Sequence, residues 1–173
     1  HSAKESAAPP LNGLRVIEIG LFHAGPTAAA MLGALGAEVI KVEDPKRPDP
    51  VRGTKRLYGQ DCMMPGGRST AFETYNGGKK GITLSLTHEA GRNAFYRLIA
   101  KSDVFIHNMR KETAEKLGIG YATLLKHNPK LVYATVSGFG PMGPEAGRPG
   151  IDPGGSFLRE SAMTRPTRLA FVT

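Results

Sequence analysis

The side chains best suited to chemistry stand just where short apolar runs end. His23 follows "LRVIEIG", Thr87 follows "GITLSL", His107-Asn108-Met109-Arg110 ends "DVFIHN", and Ser137-Gly-Phe-Gly ends "KLVYATVSG". In a chain that alternates strands and helices, such positions collect ligand contacts. Singly, each also has a plain structural reading. His23 in His-Ala-Gly-Pro is explained as a polar turn residue, Thr87 as a helix N-cap, and Arg110 and Lys111 as solvated charges. Lys79-Lys80 in "NGGKKG" reads as an exposed turn. Several other chemistries are not indicated. The five histidines are scattered and Cys62 has no nearby metal-ligand partner. No G-x-S-x-G elbow or H-E-x-x-H occurs, and the strand-turn-helix stretch His23 to Glu43 holds neither a G-x-G-x-x-G nor a Walker lysine.

The net charge of +8 points to an anionic partner: nucleic acid, an acidic surface or a phosphate-bearing molecule. Nucleic-acid binding is disfavoured, because Trp is absent, aromatics are 7%, and Lys and Arg are spread along the chain. Hydrophobic content of 40% and charged content of 22% are those of a globular protein, and 173 residues suffice for one ordinary domain. No apolar run approaches the ~20 residues that cross a bilayer, so no membrane partner is expected. The single cysteine fits a reducing compartment, and the expected location is cytoplasmic.

The elements that must position these residues follow from periodicity. Leu14 to Gly20 reads as a buried strand, Thr27 to Leu35 as a helix begun by Pro26 and ended by Gly36, and Ala37 to Glu43 as the next strand. From Asp44 to about Thr70 the periodicity disappears into a polar loop rich in Pro and Gly. Gly81 to Leu86 is a third strand, followed by a helix from His88 to Ala100 with Thr87 as its N-cap. Asp103 to Asn108 is a fourth strand. Lys111 to Leu117 and Tyr121 to His127 are short helices, and Lys130 to Gly138 is a fifth strand. Gly138 to Gly155 is a Gly/Pro-dense loop, and "RLAFVT" near the end is a further candidate strand. The pattern predicts an α/β fold with an open, mostly parallel, Rossmann-like sheet and flanking helices.

In combination, "LNGLRVIEIG…HAGPTAAAMLGALGAEVIKVE", "NGGKKGITLSL", "DVFIHNMRKETAEKLGIGYATLLKHNPKLVYATVSGFGPMGP" and "GRPGID" resemble the class III coenzyme A transferases. That family also includes formyl-CoA transferase and α-methylacyl-CoA racemase. The resemblance runs from Leu11 to about Asp152. It implies that the turn holding His23 and Ala24 lies beside the acyl thioester. Leu84, Ser85, Leu86 and Thr87 would line the nucleotide end of CoA. The family's "ENF-x-PG" is "HNMRKE" here, so Asn108, Met109 and Arg110 would contact CoA, with Lys116 as a further basic contact. Cations there suit the CoA phosphates, to which they make charge-assisted hydrogen bonds. An Arg that meets adenine in many relatives is Asp44 in this chain.

The resemblance also bears on the reaction. Racemases of the family carry a histidine before the aspartate of "RPGID". Here it is Ile151, which cannot move a proton, so racemization is disfavoured. Asp152 matches a carboxylate near the reaction centre. The transferases use another aspartate to form a mixed anhydride with the acyl group. By the resemblance that nucleophile lies beyond Thr173, so no catalytic residue is assigned, and His23 and Asp152 are active-site neighbours. The expectation is a CoA-binding N-terminal part of an enzyme moving CoA between an acyl-CoA and a carboxylic acid, truncated relative to the family. No metal or redox cofactor is called for, and the intact family is a homodimer. Residues 1–10 read as a disordered lead-in or tag scar, 11–155 as the CoA-binding domain, and 156–173 as a divergent or truncated tail. A non-catalytic CoA-binding module, half of a split enzyme, and a racemase-like isomerase are the alternatives.

Overall fold

Alternation within the apolar runs decides which side chains face which layer. In β1 (Arg15–Ile19), Ile17 and Ile19 join one buried cluster and Val16 joins another. The same division holds in β2 (Glu38–Glu43) and β8 (Val104–His107). Both faces of the sheet are therefore covered, as parallel sheets require. The computed structural model describes residues 8–57, 59–140, 142–144, 146 and 150, together with the backbone of 170–172. The remaining elements are, in order, α1 (Ala24–Ala34), a 3-10 turn (Pro50–Gly53), β3 (Arg56–Leu57), β4 (Gln60–Asp61), β5 (Met63–Met64), β6 (Arg68–Ser69) and α2 (Thr70–Asn76). They continue with β7 (Lys80–Thr83), α3 (Glu89–Ile99), α4 (Lys111–Lys116), α5 (Tyr121–Leu125), β9 (Val132–Thr135) and β10 (Ala170–Val172).

The main sheet has the order β10-β9-β8-β1-β2-β7. Its strands pair in parallel except β10, which is antiparallel to β9. The larger cluster lies on the α3 side, where Phe95, Phe105 and Tyr133 are buried with Ile99, Ile119 and Leu124. Phe95 meets Phe105 edge-on with ring centroids 5.7 Å apart, an arrangement that adds to simple burial. The smaller cluster, Val16, Ala29, Ala37, Val39, Ile106 and Ala134, packs on the α1 side. The α/β architecture expected from the periodicity is thus observed.

Four local expectations are corrected. The stretch from Asp44 to Thr70 is not structureless, because it forms the 3-10 turn and two hairpins, β3–β4 and β5–β6, and leads into α2. Two-residue strands are too short to produce a periodic signal. The helix α1 begins at Ala24 rather than Thr27. Pro26 is accommodated inside the first turn, where its missing N–H costs nothing. The strand expected over Gly81 to Leu86 is shifted to Lys80–Thr83, and Thr87 is not the cap of α3. His88 occupies that position without a side-chain cap bond, while the Thr87 and Ser85 hydroxyls bond each other at 2.9 Å.

The 84–88 segment is held by α3. Arg92 Nη1 donates to the carbonyls of Leu86 (3.0 Å) and Thr87 (3.1 Å). A Cβ at Gly91 would overlap the Ser85 carbonyl, so the backbones approach as closely as they do only because residue 91 is glycine. Gly91→Ala is expected to cost about 1–3 kcal/mol through this overlap. Urea unfolding checks it, with a lower midpoint and an unchanged slope as the outcome.

Candidate functional site

The sheet order reverses at β1. From β1 the chain moves through β2 to β7 on one side, then returns to build β8 and β9 on the other. Ligands of open α/β sheets bind in the crevice outside the carboxyl ends of the strands at such a switch point. The end of β1 continues into Gly20–Ala24, and the end of β8 into Asn108–Arg110. Asn108 joins the two: its Oδ1 accepts from Leu21 N (2.9 Å) and its Nδ2 donates to Leu21 O (2.7 Å). Gly25 in the first turn of α1 sits against the same side chain, and a Cβ there would lie 3.3 Å from Asn108 Cγ. His23 is the N-cap residue of α1, yet its side chain makes no cap bond. The half-buried imidazole instead lies against Tyr75 of α2, with ring centroids 4.4 Å apart. Ala24 is exposed beside it.

Beneath this turn lies a buried quartet of charges. Glu18 and Lys41 are register partners on β1 and β2 and share the α1 face. Lys41 Nζ donates to Glu18 Oε1 (3.0 Å) and to the Gly20 carbonyl (2.7 Å), and lies 3.2 Å from Asp49 Oδ2. That last contact is an ion pair without hydrogen-bond geometry, which leaves Oδ2 with no hydrogen-bond partner. Asp49 Oδ1 accepts from Phe22 N (3.2 Å) and Val51 N (3.1 Å). Lys79 Nζ donates to Glu18 Oε2 (2.8 Å), the Pro26 carbonyl (2.8 Å) and Asn76 Oδ1 (3.0 Å). Burial pushes the Lys79 ammonium below the ordinary lysine range, against the opposing pull of Glu18. Phe22 is held at φ 60, a left-handed conformation that a bulky residue adopts only when its surroundings impose it.

Around the quartet, Asp49 N donates to Glu43 Oε1 (3.0 Å), and the Arg52 guanidinium grips both Glu43 oxygens while lying 3.8 Å over the Phe72 ring. Burial raises the Glu43 carboxyl, but the bonds from Arg52 and the Asp49 N–H hold it below its ordinary value. None of Glu18, Lys41, Asp49 or Lys79 is evident from strand-end reasoning. A signal for two of them exists: in "RVIEI" and "EVIKV" the interior residues Glu18 and Lys41, of opposite sign, interrupt runs of Val and Ile buried on both faces. Asp49 and Lys79 lie in loops and carry no such mark.

The expected site residues fall into three groups. His23, Ala24 and Asn108 meet at the crevice, and Asn108 acts there by fixing Leu21, since its amide is already bonded. Leu86 is buried and Leu84 and Met109 are half-buried in the α3-side cluster, whereas Ser85 and Thr87 stand at the surface end of β7. Arg110 and Lys116 are exposed at the two ends of α4, and neither has an ion-pair partner among the described residues. Asp152 and Ile151 lie outside the described residues. A shallow groove of about 570 Å³ runs between β7 and α3, lined by Ile82, Leu84, Arg97, Leu98 and Lys101. It lies at the sheet edge, away from the switch point, and shares only Leu84 with the residues above.

His107 ends β8 facing the larger core. Its Nδ1 accepts from Met109 N (3.1 Å), which makes Nε2 the protonated nitrogen facing Tyr133 Oη at 2.7 Å. The Tyr133 hydroxyl in turn donates to the Ile119 carbonyl (3.1 Å), and burial pushes its pKa up. His107 is thus a neutral core group that anchors the start of the 108–110 loop, not a ligand contact.

The profile of CoA-transferase family III matches residues 11–158. The chain belongs to CoA-transferase family III. Among curated relatives, the alpha subunit of succinyl-CoA–L-malate CoA-transferase from Chloroflexus aurantiacus is 39% identical over 142 residues, covering 82% of this chain and 32% of that protein. The probable fatty acyl-CoA transferase Rv3272 of Mycobacterium tuberculosis is 41% identical over 145 residues, covering 84% and 36%. A solved structure of Rv3272 superposes with a TM-score of 0.76 at 35% identity, over 95% of this chain and 45% of that one. A CAIB/BAIF family protein from Brucella suis gives 0.74 at 37% identity, over 84% and 38%. The chain spans between 30% and 40% of the length of the curated relatives described by these comparisons. No helix among the described residues is long and apolar enough to cross a membrane.

In this family III chain, His107 ties the crevice to acid stability. Burial lowers its pKa from 6.5 to about 4. A group whose folded value is depressed contributes stability that is present above the unfolded value and lost as pH falls toward the folded one. Wild type is therefore expected to lose up to about 3 kcal/mol more than His107→Gln as pH falls from 6.5 to 4. Urea unfolding of both proteins across this range is the check. Equal losses would contradict the assignment.

Proposed function

We propose that this chain is the CoA-binding portion of a CoA transferase, which moves CoA between an acyl-CoA and a carboxylic acid. The observation that carries the reading is the meeting of the Gly20–Gly25 turn, which bears His23 and Ala24, with Asn108 at the switch point of the sheet. In this reading the thioester lies along the His23–Ala24 turn, and the nucleotide end runs toward Leu84–Thr87. Buried Leu86 contributes packing, while Ser85 and Thr87 offer hydroxyls. Arg110 and Lys116, without ion-pair partners among the described residues, meet the phosphates, each a strong donor to phosphate oxygen. The basic excess raises the local concentration of an anionic cofactor-like substrate. The reading calls for no metal or redox group, and places the protein in the cytoplasm as part of a homodimer. The carboxylate that would carry the acyl group is not assigned to any described residue.

Calorimetry tests the proposal. CoA is expected to release heat with one-to-one stoichiometry, while a DNA duplex gives none. Arg110→Ala and Lys116→Ala are each expected to weaken CoA binding about tenfold, or about 1.4 kcal/mol. Absence of binding to CoA would overturn the reading.

A further inference from the structure

Lys79 and Lys80 are adjacent and chemically identical, yet the Lys79 side chain is 3% exposed and that of Lys80 is 70% exposed. Burying an ammonium is costly unless every donor is matched. Lys79 matches all three, and its acceptors come from three different elements: Glu18 on β1, Pro26 in the first turn of α1, and Asn76 at the end of α2. Asn76 is itself fixed, its Nδ2 donating to Phe72 O at 3.0 Å. Tyr75, the residue before Asn76, provides the ring against which His23 lies. The backbone of the 20–22 segment is already anchored by Lys41, Asn108 and Asp49. Among the described residues the imidazole of His23 has no such anchor except Tyr75, and the place of Tyr75 depends on how α2 meets α1.

We propose that Lys79 is a positioning residue for the thioester end of the crevice, setting where the His23 imidazole stands by locking the end of α2 to the first turn of α1. Its functional meaning rests on the reading of the crevice as the acyl-CoA site, whereas the geometric claim stands apart from it. Lys79 touches no reacting atom. It acts through Asn76 and Tyr75 on one arm and Pro26 on the other, with Glu18 balancing its charge. A purely apolar contact at this place would hold the elements together but would not fix three oxygens around one point.

The imidazole resonances of the 173-residue chain, observed by proton–carbon NMR and assigned for His23 with His23→Gln, provide the test. Tyr75→Leu removes the ring and defines the signal of an unstacked His23. Asn76→Ala cuts the arm from Lys79 to α2, together with the bond of Asn76 to Phe72 O within that helix. Glu18→Gln combined with Lys79→Met removes the pair together and leaves Lys41 and Asp49 balanced. In both of these proteins the His23 ring protons are expected to move toward their Tyr75→Leu positions, while His107 and His127 stay in place. An unmoved His23 in Asn76→Ala and in the double variant would overturn the proposal. So would a shift of all three histidines together, which marks general loosening. The readout needs no CoA. Failure of wild type to bind CoA would therefore count against the crevice reading, and an unmoved His23 against Lys79 alone.

Discussion

The Glu18 carboxylate between two buried ammonium groups is the contact on which the rest of the site depends. One oxygen meets Lys41, which also holds the last carbonyl of the β1 segment at Gly20. The other meets Lys79, which holds α1 at Pro26. The turn between these two carbonyls is the turn that carries His23. Removing one member would strand a charge in a dry interior, a change that typically costs several kcal/mol. The quartet of Glu18, Asp49, Lys41 and Lys79 is formally neutral, and it sits on the side of the sheet with the smaller apolar cluster. There it supplies definition of geometry more than cohesion.

The opposite face divides the labour differently. Phe95, Phe105 and Tyr133 make the larger cluster, and His107 enters it as a neutral hydrogen-bonded ring. Because side chains alternate along β8, His107 points into this core while Asn108 turns toward Leu21 and Gly25. Two successive residues thus join the packed layer to the crevice. The crevice is built from strand ends, with α1 starting above it. The backbone at the His23 turn is fixed, and Arg110 and Lys116 at the two ends of α4 have no ion-pair partner among the described residues.

The regular part of the fold was legible in the sequence. Runs buried on both faces, such as those of β1, β2 and β8, stand out as short segments rich in Val and Ile, and α4 and α5 begin at the expected residues. The stretch between Asp44 and Thr70 was illegible because its strands are two residues long and its order comes from side chains distant in sequence. Asp49, for example, caps its own 3-10 turn while meeting Phe22 and Lys41. Thr87 misled because a hydroxyl before an acidic first turn suits a cap, but the close packing of Gly91 on Ser85 shifts the helix start. Of the site, the strand-end residues were readable from position, and the family motifs led to the same turn. Nothing local distinguishes Lys79 from Lys80, so the sequence presents both as residues of an exposed turn.

The proposed function puts CoA in the crevice between the β1 and β8 ends. Mapping backbone amide shifts of the chain during titration with CoA tests it most directly. Perturbations are expected to concentrate at Leu21–Ala24, Leu84–Thr87 and Asn108–Arg110, with little change along the outer face of α3. Perturbations confined to the groove around Ile82, Arg97 and Lys101, with the His23 turn unmoved, would contradict it.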